Sequence, residues 1–188
     1  DPDAAGSFQV CIDRIHAMSV VHEHLYREKL FSRIDFSGCV RMLAEKLLHK
    51  YRKNNISAVM EIESVHLGID QAIPCGLIVN ELLTNCLKHA FPDRDRGVIR
   101  VDAFMDEDAT RCHIAVCDNG AGVPSDFNFK NPTHSGFLIV NSLVGQLNGE
   151  LTLNVESGTE FRLVFPVVRD RRLPECGGIA YPAPTRAG

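Results

Sequence analysis

Four polar side chains of different chemistry share one face of a predicted helix in the middle of the chain. Glu81, Asn85, Lys88 and His89 lie at i, i+4, i+7 and i+8 in a helix predicted over about residues 71 to 90. An acid, an amide, a base and an imidazole therefore point the same way, although a solvated helix face would give the same pattern. Asn85 favours a functional interpretation, because a mid-helix asparagine competes for backbone hydrogen bonds and destabilises the helix.

A second motif, Asp118-Asn119-Gly120-Ala121-Gly122, lies where a predicted strand runs into a long loop. Asn-Gly is a strong turn signal, so an ordinary tight turn is one interpretation. A two-residue turn should lead straight into a partner strand, however, and here the next strand follows only after another helix. The two glycines would let a ligand approach the backbone closely, and the carboxylate at the strand end could accept a hydrogen bond from it.

Two further glycines could serve the same site. Gly136 opens a predicted helix, where free backbone N–H groups and the positive end of the helix dipole favour phosphate oxygens. Gly158 and Thr159 lie in the last predicted hairpin, where by themselves they indicate only a turn before a strand. Neither position is specific when taken alone.

Hydrophobic periodicity predicts the elements that must position these residues. It gives helices over 12–30, 36–53, 71–90 and 137–147, and strands over 56–62, 65–69, 98–105, 112–118, 150–155 and 159–167. Asp35 or Ser37 would cap the second helix, Asp70 would cap the third, and Pro74 would fall in the first turn of the third. The aperiodic stretch 119–135 is typical of a functional lid. The order predicts an α+β fold, a two-layer α/β sandwich with helices on one face of a mixed sheet, preceded by a helical pair.

Composition indicates a globular protein and excludes several classes of partner. The 188 residues are 45% hydrophobic and 23% charged, which is typical of a globular chain with one main core. A net charge of −4 leaves no broad basic surface, so we expect neither nucleic acid nor anionic lipid as a partner. Seven cysteines without a C-x-x-C pair, and no apolar stretch or leader of the required length, predict reduced thiols, no membrane span in this chain and a cytoplasmic location.

Together and in this order, the motifs resemble the nucleotide-binding boxes of the superfamily that unites DNA gyrase, heat-shock ATPase chaperones, histidine kinases and mismatch-repair ATPases. The segment from Asn80 to Pro92 resembles the N box of a sensor histidine kinase, and Asp118 to Gly122 resembles the first glycine box. Gly136 resembles the second box and Gly158-Thr159 the third, although many kinases show two glycines in the second box.

Further segments, most of them in the N-terminal third, indicate which group of histidine kinases the chain resembles. Segments 14–18, 21–26, 34–36 and 72–77 are similar to the HisKA/HWE-related bacterial kinases, although the absence of tryptophan speaks against the HWE branch proper. The resemblance runs from about residue 12 to 167. It implies partial dimerisation and phosphotransfer helices over 1–55, a catalytic ATP-binding domain over 56–168 and, from composition, a flexible tail over 169–188.

The resemblance also implies a Bergerat-type fold that binds Mg-ATP, with a role for each matching residue. Asn85 would hold the metal and, with Glu81 and Lys88, form the catalytic set, Glu81 being the acid that positions the attacking group. The residues that would contact the nucleotide, from phosphates to adenine, are Asn85, Lys88, His89, Gly136, Asp118, Gly120, Gly122 and Thr159. One amide oxygen suits Mg²⁺, which prefers oxygen ligands and keeps several waters.

The implied reaction is transfer of the γ-phosphoryl group of ATP to a histidine, and from there to a response-regulator receiver domain. The N-terminal helices would form a homodimer in the intact protein. No histidine here matches the acceptor position, since His16, His22 and His24 fall on the second helix of the family's pair, so we expect the acceptor helix to precede this chain. Two alternatives are a phosphotransfer or binding module with a degenerate fold that does not bind ATP, and an anti-sigma-type serine kinase, which the helical pair disfavours.

Overall fold

Helices lie on one face of a mixed sheet in the computed structural model, which describes residues 34–51, 55–92, 96–132 and 135–168. The elements in chain order are β1 (Ile34–Asp35), α1 (Phe36–Tyr51), β2 (Ile56–Ile62), β3 (His66–Leu67), α2 (Ile69–Asn85) with a following π-helical turn (Cys86–Ala90), β4 (Gly97–Met105), β5 (Arg111–Asp118), α3 (Ser135–Gln146), β6 (Glu150–Asn154) and β7 (Thr159–Pro166). The predicted helices after residue 34 and the predicted strands are all present.

The main sheet has five strands in the order β2-β4-β5-β7-β6. β2 runs parallel to β4, and the remaining neighbours are antiparallel, so the sheet is mixed as predicted. β1 and β3 form a separate two-stranded antiparallel pair. Alternation along β4 buries Ile99, Val101 and Ala103 while Val98 and Arg100 are exposed, so only one face of the sheet is covered. The predicted two-layer sandwich is confirmed.

α2 is the central helix, and most of its residues are buried. Leu77 and Ile73 pack with Leu43 of α1 and Leu143 of α3, so that α2 lies between the other two helices. Each fully buried leucine or isoleucine contributes about 1.5–3 kcal/mol. A polar side chain on the rest of this helix is therefore held on a rigid support.

The start of α2 differs from the prediction. The helix begins at Ile69 with Gly68 at the N-cap, and the amides of Gln71 and Ala72 donate to the Gly68 carbonyl at 3.0 and 2.8 Å. The prediction that Asp70 caps the helix is therefore wrong, since Asp70 lies within the first turn. Pro74 is consequently interior, and tertiary burial of α2 compensates for the backbone hydrogen bond that proline cannot donate.

The other helix start, that of α1, is capped by Asp35. Its Oδ1 accepts hydrogen bonds from the Gly38 amide at 3.4 Å and from the Ser37 hydroxyl. Of the two predicted caps, Asp35 is therefore the one that the structure shows. The predicted helix over 12–30 and the predicted tail over 169–188 lie outside the described residues. Within the described ranges, no helix is both long and apolar enough to cross a membrane.

Candidate functional site

The polar residues of α2 form a gradient of exposure towards the end of the helix. Glu81 is buried, Asn85 is half-buried, and Lys88 and His89 are exposed on the π-helical turn. The predicted shared face assumed regular α-helical spacing, and the π-helical turn changes that spacing after Asn85. π-helical turns of this kind are frequent at functional sites.

The second-box glycine lies against the acid of α2. A Cβ atom added to Gly136 would lie 3.1 Å from Oε2 of Glu81, so the first turn of α3 is in close contact with this carboxylate. Glu81 has only 7% of its surface exposed. The structure therefore brings together two predicted site residues that are 55 positions apart in the sequence.

The first glycine motif docks on the end of the same helix. The Ala121 amide donates to the Ala90 carbonyl at 2.8 Å, and a Cβ atom at Gly120 would lie 2.2 Å from that carbonyl oxygen. Only glycine fits at this close approach of two backbones. Gly122 has φ of +78°, a left-handed conformation in which a side chain would be strained.

Asp118 ends β5 beside this motif and is buried, with 7% of its surface exposed. Its Oδ1 accepts hydrogen bonds from the amides of Gly120 at 2.9 Å and Thr159 at 3.3 Å. Thr159 is also the β7 partner of Asp118 in the sheet. Gly158 completes the cluster, because its φ is +113° and a Cβ atom there would lie 1.9 Å from the Asp118 carbonyl oxygen. The first and third glycine motifs are thus packed into one unit.

One contact of this unit was not anticipated from the sequence. The side chain of Asn119 accepts a hydrogen bond from the Val98 amide at 2.8 Å, which ties the motif to β4. Cys86 was predicted on the apolar face of the helix and is buried in the core, where burial, followed by the negative charge of Asp118, raises the pKa of its thiol well above the ordinary value.

Aromatic packing anchors the long loop that follows the motif. Phe127 packs edge-on against Phe137 at 5.2 Å, and Phe129 packs edge-on against Phe161 at 5.8 Å. The side-chain amide of Asn141 donates to the Phe129 carbonyl at 2.7 Å. The later half of the predicted lid is therefore held by α3 and β7.

The predicted residues thus form two clusters along one helix. Glu81 contacts Gly136 one turn before Asn85, and Ala90 contacts Gly120 shortly after it, next to Asp118 and Thr159. Asn85 lies between the two clusters along α2. Lys88 and His89 extend from the exposed side of the same segment. The arrangement offers a carboxylate acceptor, an amide oxygen, a base and a helix N-terminus within one region.

The chain is similar to several known proteins. Among curated proteins, the chain is 31% identical over 132 residues to blue-light-activated histidine kinase 2 of Erythrobacter litoralis, covering 70% of this chain and 38% of that protein. It is 32% identical over 111 residues to the sensor histidine kinase PdtaS of Mycobacterium tuberculosis, covering 57% and 22%. The chain therefore spans less than half the length of these relatives.

Among solved structures, the histidine kinase domain of a blue-light-activated kinase from Erythrobacter litoralis superposes with a TM-score of 0.77 at 25% identity, covering 84% of this chain and 75% of that chain. Residues 1–51 match a family described as histidine kinase. Residues 70–169 match the family described as histidine kinase-, DNA gyrase B-, and HSP90-like ATPase. Since that match spans more than half of the chain, this protein belongs to the histidine kinase-, DNA gyrase B- and HSP90-like ATPase family.

Proposed function

We propose that this chain is the catalytic region of a histidine kinase, which binds Mg-ATP and transfers its γ-phosphoryl group to a histidine. The observation that carries the proposal is the docking of Gly120 on the Ala90 carbonyl, beside the buried Asp118. This contact fixes a carboxylate and a glycine backbone at the end of the helix that bears Glu81 and Asn85. A site for base and phosphates then lies along one helix.

The adenine end of the proposed site is the Asp118 unit. Asp118 would accept a hydrogen bond from the adenine amino group, while the amides of Gly120 and Thr159 hold its carboxylate. Gly120 and Gly122 would leave space for the base, because neither carries a side chain. The Thr159 hydroxyl would support the same edge directly or through water.

The phosphate end of the proposed site is the segment from Glu81 to His89. The residues fit a magnesium nucleotide, since the half-buried Asn85 offers an amide oxygen of the kind that Mg²⁺ accepts beside phosphates and waters. When bound, Mg²⁺ neutralises charge on the β- and γ-phosphates. Lys88 and His89 would contact phosphate oxygens, and the N-terminus of α3 at Gly136 adds free amides.

Glu81 would act on the group that attacks the phosphorus. It is buried against Gly136, where it can orient an attacking histidine nitrogen or hold its proton, as positioning supplies most of the catalysis in phosphoryl transfer. The bond from the γ-phosphorus to the bridging oxygen would break as the new phosphorus–nitrogen bond forms. ADP would leave, and the phosphoryl group would pass to an aspartate of a response-regulator receiver domain.

Pairing of the N-terminal helices into a homodimer belongs to the same proposal.

Calorimetric titration with Mg-ATP tests the proposal. We expect Asp118→Asn and Asn85→Ala each to weaken binding by about tenfold or more, because each removes a charged or metal-bound contact. Glu107→Gln and Asn154→Ala are matched controls at exposed positions in other parts of the chain, and both should bind like the wild type. Absence of wild-type binding would instead favour the degenerate module that does not bind ATP, and equal affinity in all five proteins would contradict the roles of Asn85 and Asp118.

A further inference from the structure

A pocket lies at the end of the main sheet where β2 and β4 begin and β5 ends. Its volume is about 330 Å³, at the lower end of the range for small-molecule sites. The lining residues come from the starts of β2 and β4 and from the first glycine motif: Asn55, Ser57, Arg96, Gly97, Val98 and Asn119. None of them belongs to the proposed nucleotide site.

The pocket and the nucleotide site lie on opposite faces of the sheet. Ser57 and Val98 are register partners in β2 and β4, and both are exposed. Ile99, the next residue of β4, is buried and pairs with Asp118. Since successive side chains of a strand point to opposite faces, Ser57 and Val98 face away from the helices. A ligand in the pocket would therefore be separate from the nucleotide.

Arg96 gives the pocket a positive charge. Its side chain is exposed, and within the described part of the chain it has no ion-pair or hydrogen-bond partner. By contrast, the guanidinium group of Arg100 in β4 contacts the Asp102 carboxylate at 3.2 Å. An unpartnered guanidinium group binds the two oxygens of a carboxylate or phosphate in a planar, two-pronged geometry. The pocket therefore favours an oxyanion.

The other lining groups suit an organic anion better than a bare ion. The side-chain amide of Asn55, which has no hydrogen-bond partner among the described residues, can donate to a ligand oxygen. The Ser57 hydroxyl donates to the Gly97 carbonyl at 3.5 Å, a long hydrogen bond that a ligand oxygen could replace. Val98 is 38% exposed and presents an apolar surface beside these donors. Polar donors and one apolar side chain fit a charged group on a short carbon skeleton.

We propose that this pocket binds a small organic oxyanion, either a carboxylate or a phosphate ester, whose charged group is held by Arg96. Asn55 and Ser57 donate to its oxygens, and its carbon atoms pack on Val98. Binding here does not depend on the proposed nucleotide site, so the two proposals stand or fall separately.

Asn119 connects the pocket to the first glycine motif. Its Oδ1 accepts a hydrogen bond from the Val98 amide at 2.8 Å, and its own amide donates to the Val98 carbonyl at 3.2 Å. The next residue is Gly120, whose amide donates to Asp118 at 2.9 Å. Local opening of the motif would remove Asn119 from the wall of the pocket. A bound anion therefore opposes this opening, because it binds only the closed form.

Nuclear magnetic resonance titration of the full chain tests the site. The probes are succinate and glycerol 3-phosphate, with succinamide and glycerol as their uncharged counterparts. We expect saturable shifts of the Gly97, Val98 and Asn119 amide signals with one or both anions, and none with the uncharged compounds. Arg96→Gln should weaken anion binding by about tenfold or more, since hydrogen bonds between charged groups are lost. The control Arg111→Gln, which removes the same charge from an exposed position at the other end of β5, should bind like the wild type.

Saturable shifts with only one of the anions would support the site and identify the charged group that it takes. Absence of such shifts with both anions overturns the inference. Equal affinity in Arg96→Gln and Arg111→Gln overturns it too, because general electrostatic attraction would not distinguish the two arginines.

Hydrogen exchange of the Gly120 amide tests the connection through Asn119. At an anion concentration of about ten times its Kd, exchange should slow by up to about tenfold, since opening then competes with binding. The uncharged counterpart should leave the exchange rate unchanged. Unaltered exchange of Gly120 with the anion bound would overturn the connection to the motif.

Discussion

A single methyl group at Gly158 should disrupt both the fold and the site. A Cβ atom there would lie 1.9 Å from the Asp118 carbonyl oxygen and 2.9 Å from Cα of Asn119. Ordinary contacts of a Cβ atom begin at 3.4 Å, so the two backbone segments would have to separate by about 1.5 Å. This separation would pull Thr159 away from Asp118.

The cost of Gly158→Ala follows from two terms. The backbone at φ of +113° lies in a region that is essentially restricted to glycine, which costs a side chain about 1–3 kcal/mol. Loss of the Thr159 amide bond to Asp118 adds about 0.5–1.5 kcal/mol. We therefore expect the free energy of unfolding to fall by about 2–4 kcal/mol and nucleotide affinity to fall with it.

Urea denaturation of Gly158→Ala beside Gly145→Ala measures this effect. Gly145 lies in α3, has no atom within 4 Å of an added Cβ and does not have positive φ, so alanine there should stabilise the helix by about 0.5 kcal/mol. The two variants add the same methyl group with opposite expected signs. A Gly158→Ala protein as stable as the wild type, with unchanged nucleotide affinity, would refute the packing argument.

Three further predictions concern other parts of the fold. Thr84→Val should raise the free energy of unfolding by about 1 kcal/mol, because the buried Thr84 hydroxyl has no hydrogen-bond partner. A lower free energy of unfolding for this variant, measured by urea denaturation, would contradict this. Burial raises the pKa of the Asp102 carboxyl above its value in the unfolded chain. The contribution of Asp102 to the free energy of unfolding is therefore complete at low pH and is lost as the pH rises through the folded pKa, so Asp102→Asn should gain stability relative to the wild type over that range. A constant difference between the two pH–stability curves would refute this. Phe129→Ala should accelerate amide hydrogen exchange around residues 127–131, because it removes the ring contact with Phe161. The control Phe104→Ala, on the exposed face of the sheet, should leave this exchange unchanged. Equal protection of residues 127–131 in the two variants would exclude the aromatic anchor.

The regular elements could be predicted because their signals are local. Alternation marked β4 and β5, and helical spacing marked α1, since each has one buried face. The start of α2 could not be predicted in this way, because Asp70 carries the usual cap signal while Gly68 has the extended backbone of the N-cap. Its interior proline is tolerated through tertiary burial, which a local pattern does not contain.

The site was predicted residue by residue from the resemblance, whereas its contacts depend on long-range packing. Gly158 and Asp118 are 40 positions apart, and only the sheet register between β5 and β7 brings them together. Cys86 could be predicted as a core residue, because its thiol falls on the apolar face of the helix, and it is buried there. The π-helical turn after Asn85 alters the direction of Lys88 and His89, and no turn signal in the sequence marks it.

A structure of the protein bound to Mg²⁺ and a non-hydrolysable ATP analogue is the decisive test of the proposed nucleotide site. We expect the adenine amino group within hydrogen-bond distance of the Asp118 carboxylate, and Mg²⁺ about 2.1 Å from the side-chain oxygen of Asn85. A nucleotide bound elsewhere, or with its base turned away from Asp118, would contradict it.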